Sequence, residues 1–142
     1  MKNIATALLI FLFTHQVYGM EWSTAKLTIH DIQAGRGGDI VVYVFLQDGF
    51  PKDHTKALAR FNLAATQATQ RLDIQVPDTS FAIKVHHDED LSGTVTKNWT
   101  GIIPAEGLGF SSGAKLGFGP PSFKDAMMTR PIDGVIRIHI VY

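Results

Sequence analysis

The chain has 142 residues, 45% of them hydrophobic, no cysteine, and 13 basic residues that balance 13 acidic ones. A net charge of zero argues against a phosphate-binding surface for nucleic acid, and the absence of cysteine excludes disulfides, thiol catalysis and Cys-rich zinc sites. A chain of this length forms one domain, whose stability must come from an ordinary apolar core.

The first nineteen residues have the organisation of a secretory signal peptide. Lys2 supplies the positive charge, an apolar run extends from Ile4 to Phe13, and Val17-Tyr18-Gly19 provides a cleavage point. The run is too short to span roughly 30 Å of hydrocarbon, so we favour cleavage over a retained anchor and expect no integral membrane segment afterwards. We therefore predict a periplasmic or secreted bacterial protein with a single mature domain, residues 20–142.

Period-2 alternation of apolar and polar residues dominates the mature chain and predicts β-strands. In residues 39–47 both faces are apolar, as expected of a central strand that is covered on both sides. The alternating segments are residues 26–32, 71–76, 80–86 and 134–142.

The segments between these runs carry turn signals and one helical candidate. Gln33–Asp39 contains three glycines and predicts a hairpin loop, and residues 76–80 and 130–134 are proline-containing turns. Residues 52–61 have apolar side chains at helical spacing behind Asp53, a potential N-cap. The pattern predicts an all-β fold, an antiparallel β-sandwich of about seven strands with one short helix.

Residues 101–123 break the alternation. Glycine and proline are too dense there for a strand or helix, yet large apolar side chains recur, as a flexible linker would not allow. We expect a long Gly/Pro/Phe-rich loop that folds over one end or edge of the sandwich.

Several blocks of the chain carry a family resemblance. They are Asp48–Ala59, His87–Asp90, Asn98–Ser111 and Phe118–Ala126. Together they resemble the exported bacterial domain of unknown function 2141 family, over nearly the whole mature chain. The resemblance implies a small exported β-sandwich of immunoglobulin-like or prealbumin-like type and brings no established activity. In family members an aspartate follows the glycine-rich half of the acidic loop, whereas this chain has Thr96 there, which weakens a cation site inferred from the family pattern.

The acidic loop after residue 87 is a candidate Ca²⁺ site. Its acidic and hydroxyl side chains have the 1-3-5 spacing of a calcium loop, with Gly93 at the turn position. The predicted ligands are Asp88, Asp90, Ser92, Thr94 and Thr96. Trp99 occupies the position of the closing glutamate, and Glu106 in the next loop is the alternative carboxylate for that position. With only two carboxylates in the loop itself, we expect an affinity on the order of 10⁻⁴–10⁻³ M. In the alternative interpretation, these side chains cap backbone amides in a tight loop.

Other chemistry at this loop is less well specified by the sequence. His86 and His87 are neighbours on a predicted strand and point to opposite faces, so they would share a zinc ion only if the strand ends before them. His87 shares the inward parity of its strand, which indicates a hydrogen-bonded histidine at one end of the sandwich. A metal-dependent hydrolase that uses His87, Asp88 and Glu106 is the alternative function.

The sequence favours a binding or interaction module over an enzyme, because no nucleophile is tied to a base. Loops of a sandwich usually present its binding surface, so the acidic loop and the Gly/Pro/Phe-rich loop are expected to form one functional end. The predicted ligand-binding residues are His87, Asn98, Trp99, Glu106 and Phe110. The partner would be a protein or small molecule of the cell envelope, and we expect no nucleic acid.

Overall fold

The computed structural model describes residues 19–142, so the predicted signal peptide lies outside the described residues except for Gly19. Within that range seven strands, one short α-helix and three 3-10 turns follow one another. The elements are β1 (Trp22–His30), β2 (Asp39–Phe45), β3 (Ala59–Ala64), β4 (Gln70–Pro77), β5 (Ala82–Asp88), β6 (Leu108–Phe110), α1 (Phe123–Ala126) and β7 (Val135–His139).

Two sheets form a sandwich, which confirms the predicted fold class. One sheet has the strand order β4-β1-β7 and the other has the order β3-β2-β5-β6. All neighbours are antiparallel except β1 and β7, which run parallel from Lys26 opposite Val135 to His30 opposite His139. Apolar alternation specifies which face of a strand is buried but carries no information about the direction of its neighbour, so this parallel pair departs from the prediction.

The main core lies between the two sheets and is built from the side chains that the alternation places inward. In β5, Ile83 and Val85 are fully buried, and in β7, Ile136 and Ile138 are 3% and 1% exposed. They pack against inward residues of β1, β2 and β4. Burial of this continuous apolar layer is the main stabilising contribution for a domain without disulfides.

The outer face of the four-stranded sheet is also buried, as the two-sided apolar pattern of β2 predicts. Val41, Tyr43 and Phe45 of β2 pack there against Phe50 from the segment between β2 and β3. Phe50 in turn contacts Phe110 edge-on, with ring centroids 6.1 Å apart. The Gly/Pro/Phe-rich loop thus contributes to a third layer on this face. It also covers an edge of the sandwich, because its residues Leu108–Phe110 pair with β5 as the edge strand β6, although its composition predicted no strand.

Two predicted connections differ in the structure. Gln33–Asp39 carries the chain from β1 in one sheet to β2 in the other, so it is a crossover and not a hairpin. Residues 52–61 form only a 3-10 turn at His54–Lys56 before β3, because pairing of β3 with β2 claims the residues that follow. Asp53 still caps this turn, since its carboxylate accepts a hydrogen bond from the Thr55 amide at 3.1 Å.

The one short helix lies instead at α1, where the side chain of Ser122 caps the first turn. Among residues 19–142, no helix combines the length and the apolar character needed to cross a membrane.

Candidate functional site

The end of β5 directs its side chains alternately inward and onto the covered outer face. His87 points inward, where Nδ1 lies 2.6 Å from the Tyr142 hydroxyl and Nε2 lies 2.6 Å from the Gly37 carbonyl oxygen. His86 points outward, so the adjacent histidines lie on opposite faces of the strand. His87 thus links Tyr142 to Gly37 in the connection between β1 and β2. It therefore belongs to the core of the sandwich and not to the acidic loop.

His86, Asp88 and Glu106 come together on the outer face. Each offers one ligand atom within 4.8 Å of the others, and all three side chains are buried. Nε2 of His86 lies 2.6 Å from Oε2 of Glu106, which forms a buried imidazole–carboxylate pair. A group of this size has the composition of a metal site, but its carboxylates are already engaged by backbone amides.

Glu106 forms hydrogen bonds with the backbone at both ends of the acidic loop and with His86 in the sheet. Its Oε1 accepts a hydrogen bond from the Glu89 amide at 3.0 Å, and its Oε2 accepts one from the Thr96 amide at 2.9 Å. The residue is only 4% exposed. A buried carboxylate with this many donors is a structural anchor, and its removal would leave several loop amides without partners.

The acidic side chains themselves turn back onto the loop. The two oxygens of Asp88 accept hydrogen bonds from the amides of Ser92 and Gly93, at 3.0 and 2.9 Å. Asp90 also accepts from the Ser92 amide, at 3.1 Å, and its second oxygen accepts from the Thr96 hydroxyl. The hydrogen bonds from Thr96 and Ser92 lower the pKa of the Asp90 carboxyl. These carboxylates therefore cap the backbone amides of the loop.

The loop has the backbone of a tight turn as well as its side-chain caps. Gly93 has φ of 77°, in the left-handed region that favours glycine. The Ser92 hydroxyl donates to the Thr94 carbonyl oxygen at 2.8 Å. The predicted Ca²⁺ ligands thus lie in one hydrogen-bonded turn, and Glu106 contacts this turn through the Glu89 and Thr96 amides.

A cleft of about 600 Å³ lies beside this loop, between residues 94–104 and 116–120. Its walls are predominantly apolar and come from both of the loops that the sequence assigned to the functional end. The apolar lining includes Val95, Ile102, Ile103, Leu108, Phe110 and Phe118. Its volume falls within the range of small-molecule sites, roughly 300–1,000 Å³.

Lys84 and His54 lie at the polar end of the cleft. Lys84 is 5% exposed, and its Nζ donates to the Pro51 carbonyl oxygen at 3.0 Å and to Nε2 of His54 at 2.8 Å. Burial lowers the pKa of the Lys84 ammonium to about 8. Burial, together with the positive charge of Lys84, lowers the pKa of His54 to about 4, which keeps the imidazole available as an acceptor. The imidazole ring is stacked on Tyr43 with centroids 4.0 Å apart.

Lys84 and His54 were missed by sequence reasoning. Lys84 falls on the polar parity of β5, the parity at which Arg71 and Asp73 of β4 are exposed. Only the third layer buries it, and nothing in the alternation indicates that layer on β5. The fully apolar pattern of β2, which lies next to β5 in the sheet, is the one signal that the outer face is covered.

The mouth of the cleft is rimmed by exposed apolar side chains. Ile102 is 77% exposed and Phe118 is fully exposed. Trp99, a predicted ligand-binding residue, is 96% exposed nearby in sequence but does not line the cleft, and Asn98 accepts hydrogen bonds from Thr100 within its own turn. Of the predicted ligand-binding residues, Phe110 alone lines the cleft in the described part of the chain.

Comparison with known proteins gives a family and no activity. The family model described as an uncharacterized protein conserved in bacteria, DUF2141, matches residues 25–135, which confirms the resemblance carried by the sequence blocks. No curated protein and no solved structure matches the chain significantly.

Proposed function

The chain belongs to DUF2141, a family of uncharacterised bacterial proteins, and we propose that it is an exported binding module that holds a small molecule in the cleft beside the acidic loop. The cleft itself carries the proposal. It has the volume and predominantly apolar lining of a ligand site, and it opens between two loops that rest on a rigid sheet.

The exposed rim supports the same function. A monomeric soluble domain rarely exposes large apolar side chains side by side without a functional reason. Ile102, Ile103 and Phe118 are more than half exposed and all contribute to the cleft. Their position at its mouth is what a site for an apolar ligand requires.

Binding of the neutral fluorescent dye Nile red tests the cleft with a matched pair of glycine variants. A Cβ at Gly119, which lines the cleft, would meet no heavy atom within 4 Å, and the same holds for Gly35 in the first crossover. We expect Gly119→Phe to reduce dye affinity and Gly35→Phe to leave it unchanged. If wild-type protein does not bind the dye, or Gly119→Phe binds it equally well, the cleft is not the ligand site.

Export to the periplasm is part of the proposal and rests on the sequence of residues 1–19. When residues 1–142 are expressed, cell fractionation should recover the protein from the periplasm, cleaved so that its N-terminus lies near residue 20. A chain that lacks residues 1–19 and starts at Met20 should stay in the cytoplasm. Recovery of both forms from the same compartment would contradict export by this segment.

A second proposed role is weak Ca²⁺ binding at the acidic loop. The observation that favours it is the convergence of two carboxylates, from Asp88 and Asp90, on the single amide of Ser92. Two like charges held next to each other favour a cation between them. At a tenfold excess of Ca²⁺ over Kd, binding should stabilise the fold by about 1.4 kcal/mol.

Thermal unfolding in millimolar Ca²⁺ and in excess chelator tests this role. We expect a higher Tm with Ca²⁺ for the wild type and a smaller difference for Asp90→Asn. Equal Tm values for the wild type under both conditions would exclude the ion. We do not extend the proposal to a hydrolase, because His87 lies on the opposite face of β5 from Asp88 and Glu106 anchors the loop.

A further inference from the structure

The polar end of the cleft contains a buried cation whose charge is not balanced by a side chain. Lys84 is 5% exposed, and within residues 19–142 no carboxylate lies within ion-pair distance of its Nζ. Its partners are a carbonyl oxygen, from Pro51, and an imidazole nitrogen, from His54. A buried ammonium without a counter-ion is unfavourable, and an anion that reached it would remove that cost.

The ammonium has the capacity to bind such an anion. An ammonium has three N–H donors, and within the described part of the chain Pro51 and His54 use two of them. Lys84 is one of the residues that line the cleft, so its third donor is the one left for a bound molecule. A hydrogen bond from an ammonium to a carboxylate is charge-assisted and stronger than one between neutral groups.

The charges around the cleft have one sign. Lys52 and Lys97 line it together with Lys84, and none of its lining residues is acidic. The remaining lining is largely aliphatic and aromatic, with exposed apolar side chains at the mouth. The positive charges therefore favour a ligand with an anionic group, and the apolar walls favour a hydrocarbon part attached to that group.

We propose that the ligand of the cleft is a small amphipathic carboxylate, whose head group binds the Lys84 ammonium and whose hydrocarbon part lies along the wall that includes Val95, Ile102 and Phe110. This inference rests on the proposed function and names the class of ligand for the same site. It assigns to Lys84 a role in binding that neither the family nor the sequence pattern assigns.

Titration calorimetry with three probes separates the head group from the tail. The probes are decanoate below its micellar concentration, 1-decanol as the uncharged analogue, and acetate as the head group alone. We expect decanoate to bind at least about tenfold more tightly than decanol, because it adds one charge-assisted hydrogen bond, and acetate to show no measurable binding.

Lys84→Met removes the charge and retains an unbranched side chain of similar length. It should weaken decanoate binding at least about tenfold and leave decanol binding unchanged. The matched control is Lys26→Met, at an exposed lysine on the other sheet, which should change neither affinity. If circular dichroism shows that Lys84→Met does not fold, the double variant Lys52→Met/Lys97→Met replaces it. We expect this variant to lose severalfold in affinity for decanoate and nothing in affinity for decanol.

The outcomes separate this inference from the proposed function. Equal binding of decanoate and decanol, or unchanged decanoate binding after Lys84→Met, would overturn the carboxylate assignment and leave an apolar ligand site. Binding of Nile red without binding of decanoate would likewise overturn the carboxylate assignment and leave an apolar ligand site. Failure of the wild type to bind Nile red would instead contradict the cleft as a ligand site.

Discussion

Oε2 of Glu106 lies 2.6 Å from Nε2 of His86, in a pair whose two side chains are 3% and 0% exposed. The same carboxylate accepts hydrogen bonds from the backbone at both ends of the acidic loop, at Glu89 and Thr96. The pair therefore couples the outer face of β5 to the loop that borders the cleft.

Glu106→Gln should destabilise the protein by about 3 kcal/mol. Glutamine keeps the shape, but its NH₂ group would face a backbone N–H and leave buried donors without acceptors. Chemical denaturation measures this loss. The control is Glu89→Gln, which removes a surface ion pair with Arg36 and should cost less than about 1 kcal/mol. A Glu106→Gln variant as stable as this control would contradict the anchoring role.

Gly38→Ala should cost more than Gly37→Ala, although both glycines have φ near 70°. A Cβ at Gly38 would collide with the carbonyl oxygen of Asp88 and lie 2.6 Å from Cα of Glu89, whereas one at Gly37 would meet no heavy atom within 4 Å. The positive φ penalises alanine at both positions, by about 1–3 kcal/mol at Gly37, where ψ of −155° lies in a region that is essentially restricted to glycine. The collision should add roughly 2 kcal/mol at Gly38, because backbone atoms must shift.

Urea unfolding of the two alanine variants measures the difference between them. Amide chemical shifts of residues 88–96 should move in Gly38→Ala and stay in place in Gly37→Ala. Equal destabilisation by the two substitutions would show that the first crossover does not set the position of the acidic loop.

The stability of the protein should rise with pH between about 8 and 10.5 through Lys84. Burial lowers the pKa of this ammonium to about 8 from its usual value of 10.5, so in this range the unfolded chain binds a proton that the folded chain has released. Below pH 8 the group is charged in both states and the penalty is constant. The full gain is about 3 kcal/mol at most.

The difference in unfolding free energy between the wild type and Lys84→Met isolates this contribution, because other groups titrate in both proteins. We expect the difference to shift in favour of the wild type as the pH rises across that range. A difference that is independent of pH would mean that the ammonium is not buried.

Inside–outside patterning was the part of the fold that the sequence predicted well. Ile83, Val85, Ile136 and Ile138 face the core as the alternation requires, since parity along a strand is a local property. The parallel pairing of β7 with β1 was not predictable in this way. It depends on where the chain arrives after a connection of more than twenty residues, and no local pattern encodes that position.

The site was predicted less completely than the fold, for a related reason. The sequence located both loops and named Glu106 as a candidate Ca²⁺ ligand, whereas the anchoring contacts of its carboxylate with the Glu89 and Thr96 amides emerge only from the structure. It did not indicate that His86, rather than His87, would meet Glu106, or that Lys84 would be buried. Both facts depend on the third layer over the outer face of the four-stranded sheet, which is formed by contacts between segments distant in the chain.

Native mass spectrometry of the protein, purified under gentle conditions without denaturant, tests most directly whether the cleft holds a ligand. We expect the wild type to carry an additional small-molecule mass, Gly119→Phe to lose it because the cleft is narrowed, and Gly35→Phe to retain it. A wild type found only at the mass of the bare polypeptide, or a bound mass retained by Gly119→Phe, would contradict a ligand in the cleft.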